Sequence, residues 1–212
     1  YGRAVVVGSP HSYGKGTVQT FADLNRFMNS TDDFGSIKLT IQKFYRINGK
    51  STQLKGVDAD IPMNDFFSYS EIGERYRDNA LPWDQIPTTR FTPVGTLNIS
   101  NLQKNSQDRM SKNSNYQLLL ESAQWREKLD KEEKITLNLN KFNKLMKARK
   151  DQIKKFKSLS KYDNKLVFTL HKYEQTRCKK DEVFAKKSES WLKNLKRDLF
   201  LEETVNVISE MK

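Results

Sequence analysis

Lys15 and Gln19 are the residues in this chain whose types and spacing could do chemistry, and they lie in VVVGSPHSYGKGTVQT, Val5 to Thr20. In an extended stretch alternate residues share a side, so Lys15, Thr17 and Gln19 project one way and Val18 the other. A lysine takes up a proton only while its amine is neutral, which requires a pKa well below the ordinary value of about 10.4. Burial against apolar groups does this by disfavouring the ammonium. A glutamine on the same side can orient the amine by hydrogen bonding without adding an anion that would push the pKa back up. Such a lysine could serve as the base for a serine nucleophile. Flanking Gly14 and Gly16 would then let a substrate backbone come close. Most Gly-Lys-Gly sequences are exposed turns, and on the residues alone that plainer reading is the favoured one.

A phosphate-binding loop is the third use of a lysine after a glycine, and the spacing excludes it. That loop needs four residues between its glycines, then Lys, then Ser or Thr. Here Gly8 and Gly14 enclose five, and Lys15 is followed by Gly16. A helix should follow, its N-terminus meeting the phosphates; instead TVQTF favours a strand.

The elements that must position these residues read as short strands. Arg3–Gly8 is a continuous apolar run, expected to be a buried strand. Thr17–Phe21 is β-branched and aromatic. In SIKLTIQKFYRINGKSTQ, Ile37, Leu39 and Ile41 alternate with Lys38, Thr40 and Gln42, which predicts one buried face and one wet one. Asn48-Gly49 suits a type I′ turn, with Lys50–Leu54 returning as the partner strand. Between 67 and 100, Pro82, Pro87 and Pro93 break regular structure, while Tyr76, Trp83 and Phe91 suggest a loop pinned onto a surface.

From about Asn101 the period becomes helical. Tyr116, Leu119, Leu120 and Ala123 form one stripe; Phe142, Leu145, Met146, Arg149, Ile153 and Phe156 form another. DEVFAKKSESWLKNLKRD places Val183, Phe184, Lys187, Trp191 and Leu195 near one face. KITLNLN (Lys134–Asn140) alternates and reads as a short strand or a helix start. There is no internal repeat.

Composition divides the chain the same way. Residues 1–100 carry 11 Lys and Arg against 10 Asp and Glu, whereas residues 101–212 carry 27 against 16. Of the net charge of +12, all but one unit therefore belongs to the helical half. With 36% hydrophobic residues and 12 Phe, 8 Tyr and 3 Trp, there is enough apolar material for a core. The single cysteine, Cys178, excludes an internal disulfide and a multi-cysteine metal site, and His11 and His171 are too far apart to form a local zinc motif. No cofactor is expected. No apolar run approaches the roughly 20 residues of a membrane span. The opening YGRAVVVG, about two residues before a strand and without a signal peptide, reads as part of something longer.

GRAVVVGSPHSYGKGTVQT followed by IKLTIQKFYRINGKSTQLKGVDADIP resembles the Ser/Lys-dyad carboxy-terminal processing peptidases. DNALPWDQI (Asp78–Ile86) and ETVNV (Glu203–Val207) are similar to the long C-terminal extension of the tail-specific branch of that family. The resemblance implies that Lys15 is the general base and Gln19 the residue that positions it. It also implies that the nucleophilic serine, the oxyanion hole and a substrate-capturing PDZ domain lie upstream of Tyr1, so that residues 1–212 alone have no peptidase activity. Ser9 and Ser12 share the loop of Lys15 and do not replace the serine. The family commonly has Thr-Phe where this chain has Ser12-Tyr13, a change expected to be tolerated. The implied setting is the periplasm, and the implied substrates are proteins or peptides with apolar C-termini.

The expected fold class is α+β: a partial β-rich protease core over 1–66, a proline-containing connector over 67–100, and a basic, mainly helical domain over 101–212. For that last domain two uses stand beside packing around the core. One is docking of an adaptor, an acidic partner or an anionic membrane surface. The other, nucleic-acid binding, is disfavoured: lysine far outnumbers arginine, which base readout and bidentate phosphate contacts prefer, and no recognition motif accompanies it. Oligomeric state leaves no trace in the sequence, although strand edges that lack their neighbours would favour self-association.

Overall fold

The computed structural model describes residues 1–27, 31–95 and 97–211. The fold is α+β, with four short strands preceding six helices among those residues. It divides into two compact units: Tyr1–Pro62 with Glu71–Thr96, and Met63–Ser70 with Leu97–Lys212.

In the first unit β1 (Val7–Gly8) runs parallel to β4 (Ile61–Pro62), and β2 (Thr17–Asp23) is antiparallel to β3 (Ser36–Lys43). The apolar run at Arg3–Gly8 is thus a strand only at its end, and Val6 is 45% exposed rather than buried. Its partner stops at Pro62, which has no amide proton to extend a ladder. Ile37 sits opposite Ala22 and Leu39 opposite Thr20; on the other face Lys38 meets Phe21 and Thr40 meets Gln19. A register shift falls between Val18 and Gln19. The alternation of β3 is present, but its apolar face stays open: Ile37, Leu39 and Ile41 are 44%, 45% and 57% exposed. Period two decides which side chains share a face, not whether a second layer covers it.

β3 pairs with β2 and not with Lys50–Leu54. The Asn48-Gly49 turn differs from expectation too: the Gly49 amide donates to Arg46 O at 2.8 Å, and only Gly49 has positive φ, at 77°. That is a three-residue loop closed by a left-handed glycine, bridged at Tyr45–Ser51. Beyond it the chain turns at Gln53–Lys55, with Leu54 at φ 62°. The proline-containing segment lies on this loop. Ser51 N–H donates to Asp84 O at 3.1 Å, Ile86 N–H to Gly49 O at 2.9 Å, and the Trp83 indole N–H to Ser51 O at 2.9 Å. Lys55 Nζ caps the Trp83 ring 3.5 Å from its centroid.

The second unit is helical: α1 (Ile99–Lys112), α2 (Ser114–Asp130), α3 (Leu139–Phe156), α4 (Lys172–Cys178), α5 (Glu182–Lys196) and α6 (Leu199–Glu210). Asn113 alone separates α1 from α2, ending the first and capping the second by accepting the amides of Asn115 and Tyr116 at 3.0 and 3.2 Å. The core gathers Met63, Leu102, Met110, Tyr116, Leu119, Ala123, Leu199 and Val207. Within it Glu203 is 2% exposed and answered by Arg109, whose Nη2 donates to its Oε1 at 2.6 Å. In α5 the inward row is Phe184, Ser188, Leu192 and Leu195, while Val183 and Trp191 are 66% and 53% exposed. The KITLNLN alternation forms no ladder: Leu137 is wholly exposed, Asn138 caps α3, and Leu139 begins it. Its length is too short for period alone to settle the element. Among the described residues no helix is long and apolar enough to cross a membrane.

Candidate active site

The loop from Ser9 to Gly16 is laid against residues 53–60, strand-like on paper but joined by single hydrogen bonds. Val6 N–H donates to Asp60 Oδ2 at 2.8 Å, Ala59 N–H to Pro10 O at 3.0 Å, and Ser12 N–H to Val57 O at 3.0 Å. The Ser12 hydroxyl accepts the Val57 amide at 2.9 Å, so it serves the loop's shape and is not a free nucleophile. Tyr13 reaches outward, and its hydroxyl takes two bonds from Arg77, each at 3.2 Å. A phenylalanine there would leave that guanidinium without its partner.

Gly14, Lys15 and Gly16 then pass directly over Gln53–Gly56. Leu54 N–H donates to Gly14 O at 2.7 Å, and the Thr52 hydroxyl to Lys15 O at 3.3 Å. A Cβ on Gly14 would stand 2.6 Å from Leu54 O, and one on Gly16 would stand 2.4 Å from Gln53 N. A Cβ on Gly56 would be 2.3 Å from Ser12 O. The glycines that flank the lysine therefore admit the chain's own backbone at close range.

Sequence reasoning placed Lys15 and Gln19 on one side, and the structure brings them together: Lys15 Nζ donates to Gln19 Oε1 at 2.8 Å. Gln19 Nε2 points on to Thr40 Oγ1 on β3 at 3.4 Å. Amide orientation is set by these two bonds, with the oxygen toward the cation and the nitrogen toward the hydroxyl. Thr17, one strand position between them, is buried. Lys15 itself is exposed, so the burial that base chemistry calls for is not supplied by the described residues.

Two site residues escaped the sequence reading. Gln53, 1% exposed, accepts the Gly16 amide on its Oε1 at 2.9 Å and donates from Nε2 to Glu74 Oε1 at 3.4 Å. Glu74 in turn donates its own amide to Tyr13 O at 2.9 Å. The signal lay in Ser51-Thr52-Gln53, three polar residues in a row. A half-buried strand would alternate there, and all three are in fact buried. Among the described residues no group of three His, Cys, Asp or Glu could hold a metal ion.

Comparisons with known sequences divide the chain between two profiles. That of peptidase family S41 matches residues 1–63, and that of the C-terminal domain of tail specific protease matches residues 67–212. A tail-specific protease of Haemophilus influenzae is 37% identical over 169 residues, 76% of this chain and 24% of that protein. The chain thus spans about a quarter of that relative's length.

Proposed function

The chain belongs to the tail-specific proteases of peptidase family S41, and from that membership we propose that it carries the general base of a serine endopeptidase working by a Ser/Lys dyad. The observation that carries this reading is the 2.8 Å bond from Lys15 Nζ to Gln19 Oε1, made by a neutral partner on a loop that its glycines hold against residues 53–56. Lys15 takes the proton of a serine hydroxyl as that oxygen attacks the scissile carbonyl, and returns it to the leaving amine. Gln19 holds the amine in line for both transfers. The serine, the oxyanion-hole amides and the PDZ domain come from the part of the protease outside residues 1–212. Apposition of that part is also what would exclude water from around Lys15. Substrates are proteins and peptides with apolar C-termini, and the setting is the periplasm.

The test uses the intact protease. Lys15→Ala is expected to lower kcat by about 10²- to 10⁴-fold with its fold retained, and residues 1–212 alone are expected to leave an unfolded, apolar-tailed protein uncut. Wild-type turnover by the Lys15→Ala enzyme, or cleavage by residues 1–212, would sink the reading.

A second reading concerns the helical unit. Lys141, Lys144, Lys147 and Lys150 on α3 make no ion pair among the described residues, which suits docking of an acidic adaptor. Binding that is insensitive to salt between about 50 and 200 mM, or unchanged when these lysines become glutamine, would remove it.

A further inference from the structure

We propose that Gln53 is a positioning residue for Lys15, acting through the Gly16 main chain as one arm of a clamp whose other arm is Glu74. The inference rests on Lys15 being the general base. Three bonds close a ring around the lysine loop. Gly16 N–H donates to Gln53 Oε1 at 2.9 Å, Gln53 Nε2 to Glu74 Oε1 at 3.4 Å, and Glu74 N–H to Tyr13 O at 2.9 Å. Tyr13 and Gly16 bracket Lys15, so the Cα–Cβ direction of the lysine follows from where those two peptide groups are held.

Burial makes the clamp stiff. Gln53 is 1% exposed, Gly16 is buried, and the Gln53 main-chain N–H donates to Ser51 Oγ at 3.0 Å. A buried amide proton left without an acceptor is costly, so Gly16 has no comfortable alternative orientation once Gln53 is in place. Glutamine also suits the position chemically. A carboxylate would offer the same acceptor to Gly16, but it would face Glu74 and place an anion beside a lysine that must act as an amine. An amide accepts from one side and donates to the other without adding charge. Gln19 fixes the far end of the Lys15 side chain, and Gln53 fixes its root.

The experiment is a double-mutant cycle in the intact protease, read as the rate at which a fluorophosphonate acylates the nucleophile and as kcat and KM on a peptide substrate. Gln53→Met keeps the volume and removes both side-chain bonds. It is expected to lower kcat by about 10- to 100-fold with KM within about twofold, since misplacing a reacting group costs rate more than binding. In a Lys15→Ala background the same change is expected to cost less than about twofold, because residues that act as a unit are not additive. Should Gln53→Met fail to fold, Glu74→Met opens the other arm and is read in the same cycle, while Glu74→Gln, which keeps the acceptor, is expected to restore the rate. Equal losses in both backgrounds would show a merely structural role and overturn the proposal for Gln53 alone. Full activity in Lys15→Ala alone would overturn the base reading beneath it.

Discussion

Arg109 on α1 donates to both carboxylate oxygens of Glu203 on α6, from Nε at 3.1 Å to each and from Nη2 to Oε1 at 2.6 Å. Asn206 Nδ2 adds a bond to Glu203 Oε2 at 3.2 Å, and the Arg109 guanidinium also reaches Glu210. Glu203 is thus a buried carboxylate that accepts from both Arg109 and Asn206. Removing only the cation, by Arg109→Met, is expected to cost about 3–5 kcal/mol because the carboxylate stays buried without its partner. Replacing both, by Arg109→Met with Glu203→Leu, is expected to recover most of that loss. Urea unfolding of the single and double variants, followed by helical circular dichroism, decides it; a double variant as weak as the single one would contradict the account.

Gln19→Ala removes the group that aims the lysine amine without touching the loop below it. In the intact protease kcat is expected to drop about 10- to 100-fold while KM holds. Gln19→Glu should do worse near neutral pH, since an anion favours the ammonium form. Steady-state kinetics on one peptide substrate separates these variants.

Gly16→Ala places a methyl group 2.4 Å from Gln53 N, where only main chain can yield. Overpacking of this kind costs about 1–3 kcal/mol. The expected result is a lowered melting temperature together with a loss of activity larger than stability alone explains. An Ala variant that is fully active would mean that the loop has room to move aside.

Tyr162 is pushed up to about 12, first by burial and then by its hydrogen bond to Glu202. Its protonated form is favoured by folding, so the stabilisation is complete below the ordinary tyrosine value near 10. It is lost as pH rises through the folded value. Unfolding measured between about pH 10 and 12 should therefore show a falling stability that Tyr162→Phe flattens. Identical slopes in the two proteins would rule out this linkage.

The half of the site that was legible in the sequence was the half made by local spacing. Lys15 and Gln19 meet because they lie four residues apart on one short stretch. What stayed hidden was made by distant segments. Gln53 and Glu74 come to the same loop from 37 and 58 positions beyond Gly16, and no period links them to it. The strand alternation at Ile37, Leu39 and Ile41 was readable for the same local reason, while the exposure of that face was not, since covering it depends on what packs there. Helices α2 and α3 were legible because their stripes run over two turns or more. In α5 the polar Ser188 occupies the innermost row, and a pattern sought in large apolar residues rotated the helix toward Val183 and Trp191.

The route of the backbone has a consequence for how such a protein can be inherited or cut. Met63, 2% exposed, and the Asn64 amide, bonded to the Tyr116 hydroxyl at 2.9 Å, belong to the helical unit, yet residues 71–96 return to the strands before the helices begin. A single recombination breakpoint, or one proteolytic nick followed by dissociation, therefore cannot hand over either unit whole. A junction at 62 carries Glu74 and Trp83 away from the strands, and a junction at 96 strands Met63 and Asn64 on the wrong side. Separating the two units whole takes more than one cut in the chain.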